Sequence, residues 1–181
     1  MTSVIVVFSR ANENYEVGYV TEGNTAKVAD VIAAATVAPI IEILPAEPYP
    51  TTYDGTVERV KREMEDGVEA AIAIRMHAGN DADASASADA AFAEADTVYL
   101  GYPIWCGVPP LEVDTFLRGH DWTGKTILPF ITHGGSGFKE TPEHIAALTG
   151  ADVRPGLAVT GVVAQRDPEA VRRAVDGWLG A

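Results

Sequence analysis

The feature that most constrains this chain is an alternation between short, almost wholly apolar runs and longer amphipathic stretches. Ser3–Phe8, Ile40–Leu44, Thr97–Tyr102, Thr126–Thr132 and Leu157–Val163 are rich in β-branched and aromatic residues. Their length suits strands, and their near-continuous apolarity suits strands buried on both faces. Between them lie segments with readable helix ends. Asn24 or Thr25 can cap Ala26–Ala35, and Asp54 can open Gly55–Ala73. Leu111–Leu117 follows a Pro pair, Thr141-Pro142-Glu143 opens a helix that Gly150 stops, and Asp167-Pro168-Glu169 opens the last. A side-chain cap, Pro in the first turn and acidic residues at the positive dipole end each mark a helix start.

Strands alternating with helices imply βαβ crossovers, hence a mostly parallel sheet covered on both faces. Five such strands in one 181-residue chain predict a single doubly wound three-layer domain over 1–181. Ligands of such a domain bind beyond the C-terminal strand ends, where strand order reverses. Function is therefore expected in the loops after Phe8, Tyr102 and Thr132. Two places resist the pattern. Pro129 lies inside the fourth run, where a bulge is expected, and Ala78–Ala88 reads as a solvated connection preceding a short helix from Asp89.

Charge narrows the function classes. With 26 acidic and 13 basic residues the formal charge is −13. Phosphate-backbone recognition depends on Lys and Arg, so nucleic acid is disfavoured, as is an anionic membrane surface. The single cysteine forms no internal disulfide, and Val4–Phe8 is too short for a signal core. Both point to a cytoplasmic protein.

The three loops carry the chemistry. Ser9-Arg10 ends the first strand, and Gly23-Asn24-Thr25 stands at a helix start. A hydroxyl beside unpaired N–H groups of a helix N-terminus suits a phosphate. No Lys follows the glycine as a Walker loop needs, and no Gly-x-Gly-x-x-Gly is present. The second loop, Gly101–Pro110, sets Tyr102 and Trp105 among Pro and Gly, a rigid apolar rim for a flat ligand. The third, Thr132–Phe138, has three glycines whose N–H groups can meet a polar ligand edge. An esterase oxyanion hole would need Gly-x-Ser-x-Gly, and the residue two after Ser136 is Phe138. A phosphoacceptor reading fails too, because the first strand lacks an acidic cluster.

Phe8-Ser9-Arg10 with Gly23-Asn24-Thr25, Leu100 through Trp105, and Thr132 through Gly137 together resemble the flavodoxin family of FMN-binding proteins. Glu42–Tyr53 and Thr123–Thr126 look like the same branch, so the resemblance spans the chain in order. It implies a flavodoxin-like three-layer sandwich with a five-stranded parallel sheet in the order 2-1-3-4-5, and FMN as cofactor. It further implies that Ser9, Arg10, Asn24, Thr25 and the N–H of Ala26 hold the phosphate. Pro103, Ile104, Trp105, Cys106 and Gly107 would border the isoalloxazine. Thr132, His133, Gly134, Gly135 and Gly137 would meet its pyrimidine side or the ribityl chain. The chain departs from the family pattern in two ways. Ala11–Glu22 is inserted between Ser-Arg and Gly-Asn-Thr, carrying Tyr15 and Tyr19 as a lid or as surface decoration. Cys106 stands where a second Trp is frequent, as a small apolar filler.

The leading functional expectation is a carrier of electrons between a reductase and an acceptor, the acidic face steering basic partners. The same face is expected to disfavour a reduced, anionic ring. The alternatives are an NAD(P)H-dependent quinone or azo-type oxidoreductase, with His133 as a proton donor or a loop hydrogen-bonding residue, and a cofactor-poor interaction module.

Overall fold

The structure, a computed structural model, describes residues 1–77 and 84–180. The elements run β1 (Ser3–Phe8), β2 (Asn12–Asn14), β3 (Gly18–Val20), α1 (Asn24–Thr36), β4 (Ile40–Pro45), α2 (Tyr53–Asp66), β5 (Ile72–Met76) and α3 (Ala84–Glu94). They continue with β6 (Thr97–Pro103), α4 (Leu111–Gly119), β7 (Thr126–His133), α5 (Thr141–Thr149), β8 (Asp152–Val153), β9 (Leu157–Thr160), α6 (Gly161–Arg166) and α7 (Pro168–Leu179). The main sheet is ordered β5-β4-β1-β6-β7-β8, with β9 also paired to β7. Its parallel part, β4-β1-β6-β7-β9, is the expected 2-1-3-4-5 order.

Alternation along β1 sorts the core into two layers. Val4, Val6 and Phe8 pack with Val60 of α2, Phe92 of α3, Val113, Phe116 and Leu117 of α4 and Ile145 of α5. Ile5 and Val7 face the other way, onto Val28 and Ile32 of α1 and Val171 and Val175 of α7. The first loop's helix and α2 therefore lie on opposite faces of the sheet.

Four expectations about the number and extent of the elements are corrected. The sheet has seven strands, because β5 adds an antiparallel edge to β4 and the last partner of β7 splits into β8 and β9. The helix expected over Gly55–Ala73 ends at Asp66, where Gly67 (φ 64°) takes the left-handed conformation and donates its N–H to Glu63 and Met64 carbonyls. The last apolar run ends at Thr160, whose hydroxyl caps α6 by accepting from the Val163 N–H. A helix also begins at Ala84 instead of Asp89; the remainder of the Ala78–Ala88 connection, 78–83, lies outside the described residues.

Pro129 needs no bulge. The β6–β7 register runs without offset from Thr97 opposite Thr126 to Pro103 opposite Thr132. The Ile127 carbonyl points away from β6, toward the Arg154 N–H. Strand alternation directs the Pro129 nitrogen the same way, into the gap between β8 and β9, where no ladder bond is lost.

Candidate functional site

The three loops meet at Thr132. Its hydroxyl shares a 2.7 Å hydrogen bond with the Thr25 hydroxyl, and its carbonyl accepts the Ile104 N–H at 3.0 Å. One residue at the end of β7 thus ties the first loop to the third and the third to the second. Tyr102 adds a brace: its buried hydroxyl donates to Thr141 Oγ1, which donates to the Phe138 carbonyl.

In the first loop Gly23, not Asn24 or Thr25, is the N-cap of α1, and it offers no side-chain cap. The first turn has one side-chain acceptor, Ser9 Oγ, 3.0 Å from the Ala26 N–H. A Cβ on Gly23 would stand 2.3 Å from Ser9 Oγ and 2.6 Å from the Arg10 carbonyl oxygen, so the chain passes here only without a side chain. Arg10 is turned to structural use. Its guanidinium donates to the carbonyls of Glu13, Pro50 and Thr52, clamping the insertion to the loop before α2. Its Nε is buried and unpartnered among the described residues. Asn24 Oδ1 accepts from Gln165 Nε2.

The second loop closes on itself. Trp105 and Val108 exchange backbone hydrogen bonds around Cys106 (φ 51°) and Gly107 (φ 86°), a two-residue turn with both central residues left-handed. This sets Trp105 edge-on against Phe8 (5.4 Å) and Tyr49 (5.1 Å) and leaves Cys106 exposed.

In the third loop His133 Nδ1 accepts the N–H groups of Gly135 (2.9 Å) and Gly137 (3.1 Å). Nδ1 is then unprotonated, and a neutral ring carries its proton on Nε2. Burial lowers the His133 pKa. Neutral His133 therefore stabilises the fold above an unfolded-state pKa of about 6.5, and that contribution is lost as pH falls through the lower folded value. In an NMR titration His133 should protonate below pH ~6.5, and the Gly135 and Gly137 amides should lose exchange protection in the same step.

Together these loops line a cleft of about 470 Å³ at the C-terminal strand ends, within the range of small-molecule sites. Arg10, Asn24, Pro103, Ile104, Trp105, Cys106, Gly107, Thr132, His133 and Gly134 are on its wall. Ser9, Thr25 and Ala26 stand behind Asn24 in the bonded first turn, and Gly135 and Gly137 are occupied with His133.

Two contributors lie outside the three loops: the insertion, for which a lid is one of the two readings, and α2, which was not expected at the site. The insertion forms the β2–β3 hairpin, whose turn carries Tyr15 across the cleft. A Cβ on Gly134 would lie 2.6 Å from the Tyr15 ring, which also packs 5.7 Å from Tyr53. Tyr15 is thus lid-like, whereas Tyr19 remains exposed away from the lining. The second contributor is α2, through Tyr53, Thr56, Val57, Val60 and Lys61. Their helical spacing is a signal available in the sequence; which side they face is not.

Behind Trp105 lies a buried polar cluster. Tyr49 donates to Glu112 Oε1 at 2.8 Å, Arg59 covers the Tyr49 ring at 4.0 Å, and Arg59 pairs with Glu63 at 2.7 Å. Glu112 Oε2 has no partner among the described residues, and burial raises the Glu112 pKa. Removing the side-chain donor, in Tyr49→Phe, should cost about 2–3 kcal/mol at neutral pH. Because a carboxyl with a raised folded pKa loses stability as pH rises through that value, the loss should be smaller near pH 4.5. Denaturant melts at the two pH values measure it.

A model of the flavodoxin family matches residues 15–171. No curated protein matches the chain. A candidate flavoprotein from Bacteroides eggerthii superposes with a TM-score of 0.67 at 25% identity, covering 97% of this chain and 96% of its own. A flavoprotein from Lactobacillus acidophilus, solved in complex with FMN, gives 0.62 at 17% identity, with 98% of each chain covered. Oxidised flavodoxin 2 from Bacillus cereus gives 0.52 at 15%, with 99% of each covered; at such identities the likeness is one of fold. Among the described residues no helix is long and apolar enough to cross a membrane.

Proposed function

The chain belongs to the flavodoxin family, and from that premise we propose that it is an FMN protein carrying electrons between a reductase and an acceptor. The observation that carries this reading is the cleft stitched at Thr132, where an uncapped helix start, an aromatic turn and a glycine loop converge. Gly23, packed too tightly on Ser9 and the Arg10 carbonyl for any side chain, holds the start of α1 against the first loop, and a helix start of this kind presents backbone N–H groups to a phosphate.

In this reading Ser9, Asn24, Thr25 and the Ala26 N–H hold the phosphate, and Arg10 sets the shape of their loop through the carbonyls it clamps. Pro103, Ile104, Trp105, Cys106 and Gly107 border the ring. Thr132, His133 and Gly134 line its polar edge, with Gly135 and Gly137 acting through His133. Bound FMN supplies the electron-accepting chemistry; the chain supplies orientation, exclusion of water and the local field. His133, neutral with Nε2–H available, offers a hydrogen bond without adding a charge.

The Tyr15 hairpin favours a second reading. A lid over the cleft serves a small-molecule reaction better than docking of a protein partner, as an NAD(P)H-dependent oxidoreductase would require. Anaerobic addition of NADH or NADPH to the FMN-loaded protein separates the two. The carrier keeps its visible absorbance until a reductase is added, whereas bleaching by the nucleotide alone, with turnover on a quinone, supports the enzyme.

A further inference from the structure

The three loops do not make the whole wall of the cleft: α2 supplies one side, and that side has its own chemistry. On α2, Tyr53, Val57 and Lys61 recur four residues apart and form one stripe along the cleft wall, above the buried Thr56 and Val60. Tyr15 packs 5.7 Å from Tyr53 at one end of the stripe, so this side of the cleft is largely aromatic and aliphatic. Lys61 is exposed and, among the described residues, forms no ion pair.

The charge of the lining runs against that of the protein. Among the described residues Arg10 and Lys61 are its cations and Glu16 its one carboxylate, in a chain of formal charge −13. Arg10 is committed to three backbone carbonyls, which leaves Lys61 as the cation able to meet a ligand. Nor does Lys61 duplicate the phosphate site: α1 packs on one face of the sheet and α2 on the other.

We infer that the α2 side of the cleft is a second subsite, for a flat aromatic ligand bearing an anionic group, with the rings held against Tyr15, Tyr53 and Val57 and the anion selected by Lys61. The inference rests on the FMN reading of the three loops, because the ligand would lie beside that cofactor. An aromatic face gains by burial against such walls, and the exposed ammonium adds a small preference for the charged over the neutral ligand.

Redox-inert compounds test this without turnover. Equilibrium binding of naphthalene-2-sulfonate and its neutral sulfonamide to the FMN-loaded protein is followed by calorimetry and by perturbation of the flavin spectrum. The wild type should prefer the sulfonate about threefold, the contribution of an exposed ion pair. Lys61→Gln should abolish that preference while leaving sulfonamide binding and FMN affinity in place, and Tyr53→Ala should weaken both compounds. Equal binding of the two compounds to the wild type, or a preference that survives Lys61→Gln, overturns the subsite while FMN binding stands. Weaker FMN binding in Lys61→Gln, with riboflavin unaffected, overturns it by assigning Lys61 to the cofactor's phosphate. Failure of the wild type to take up FMN would remove the reading beneath it.

Discussion

Replacing Gly23 by alanine is expected to weaken FMN binding by about a hundredfold, which is ~2.7 kcal/mol, while the protein remains folded. Gly23 has φ −68° and ψ 155°, ordinary extended values, so alanine suffers no dihedral penalty there. Space is the obstacle. The added methyl would fall 2.6 Å from the Arg10 carbonyl oxygen and 2.8 Å from its carbon. These are backbone atoms, and they cannot rotate away as a side-chain end does. Ser9-Arg10 must shift, breaking the 3.0 Å bond from the Ala26 N–H to Ser9 and turning the first turn of α1 away from the phosphate. Overpacking of this kind costs about 1–3 kcal/mol of stability, small enough for folded variant to be titrated with FMN. Ser9→Ala removes the same acceptor without the clash, so a milder loss there separates the missing hydroxyl from the displaced backbone.

Gly101→Ala is expected to be the most damaging single change to the fold, costing about 3 kcal/mol or more. Gly101 lies in β6, opposite Phe130 of β7. A Cβ there would meet the Phe130 ring at 2.2 and 2.4 Å, and Phe130 is fully buried against Leu157, Val159 and α1. At this chain length each kcal/mol moves the melting temperature by about 2–4 °C, so a fall of roughly 6–12 °C follows. Phe130→Leu alone should be destabilising for lost area, yet combined with Gly101→Ala it should cost less than the two separately. Such non-additivity is the signature of one steric contact. Strict additivity in thermal melts would show that the glycine serves something else.

The strands that surround the cleft were legible because each is a run of β-branched residues buried on both faces. β1, β4, β6 and β7 match their runs to within one residue. What lay beyond local pattern was less so. Ile72–Met76 alternates exposed with half-buried positions, as an edge strand does, and it follows a helix with no proline between them. Gly67 was the available stop signal, and its left-handed conformation ends α2 there. Ala84–Ala88 is an alanine–serine run in which Ser85, Ala86 and Ser87 are exposed and Ala88 is buried, so no hydrophobic stripe marked it as helix. Of the site, the loop residues were readable from glycine, proline and hydroxyl spacing. Their mutual bonds were not, since Thr25–Thr132 joins residues 107 apart and Tyr49–Glu112 residues 63 apart. Arg10 shows the same limit: a cation beside a phosphate loop invites an ionic role, and only the positions of Glu13, Pro50 and Thr52 reveal the clamp.

Whether backbone N–H donors at the start of α1 hold an anionic group is tested directly by comparing FMN with riboflavin. The two differ only in the phosphate, and charge-assisted hydrogen bonds contribute about 1.5–3 kcal/mol each. Isothermal titration of the purified, cofactor-free chain should give FMN an affinity at least about a hundredfold above that of riboflavin, equivalent to ~2.7 kcal/mol, with the margin shrinking in Gly23→Ala. Equal affinities for the two, or heat from neither, would contradict it.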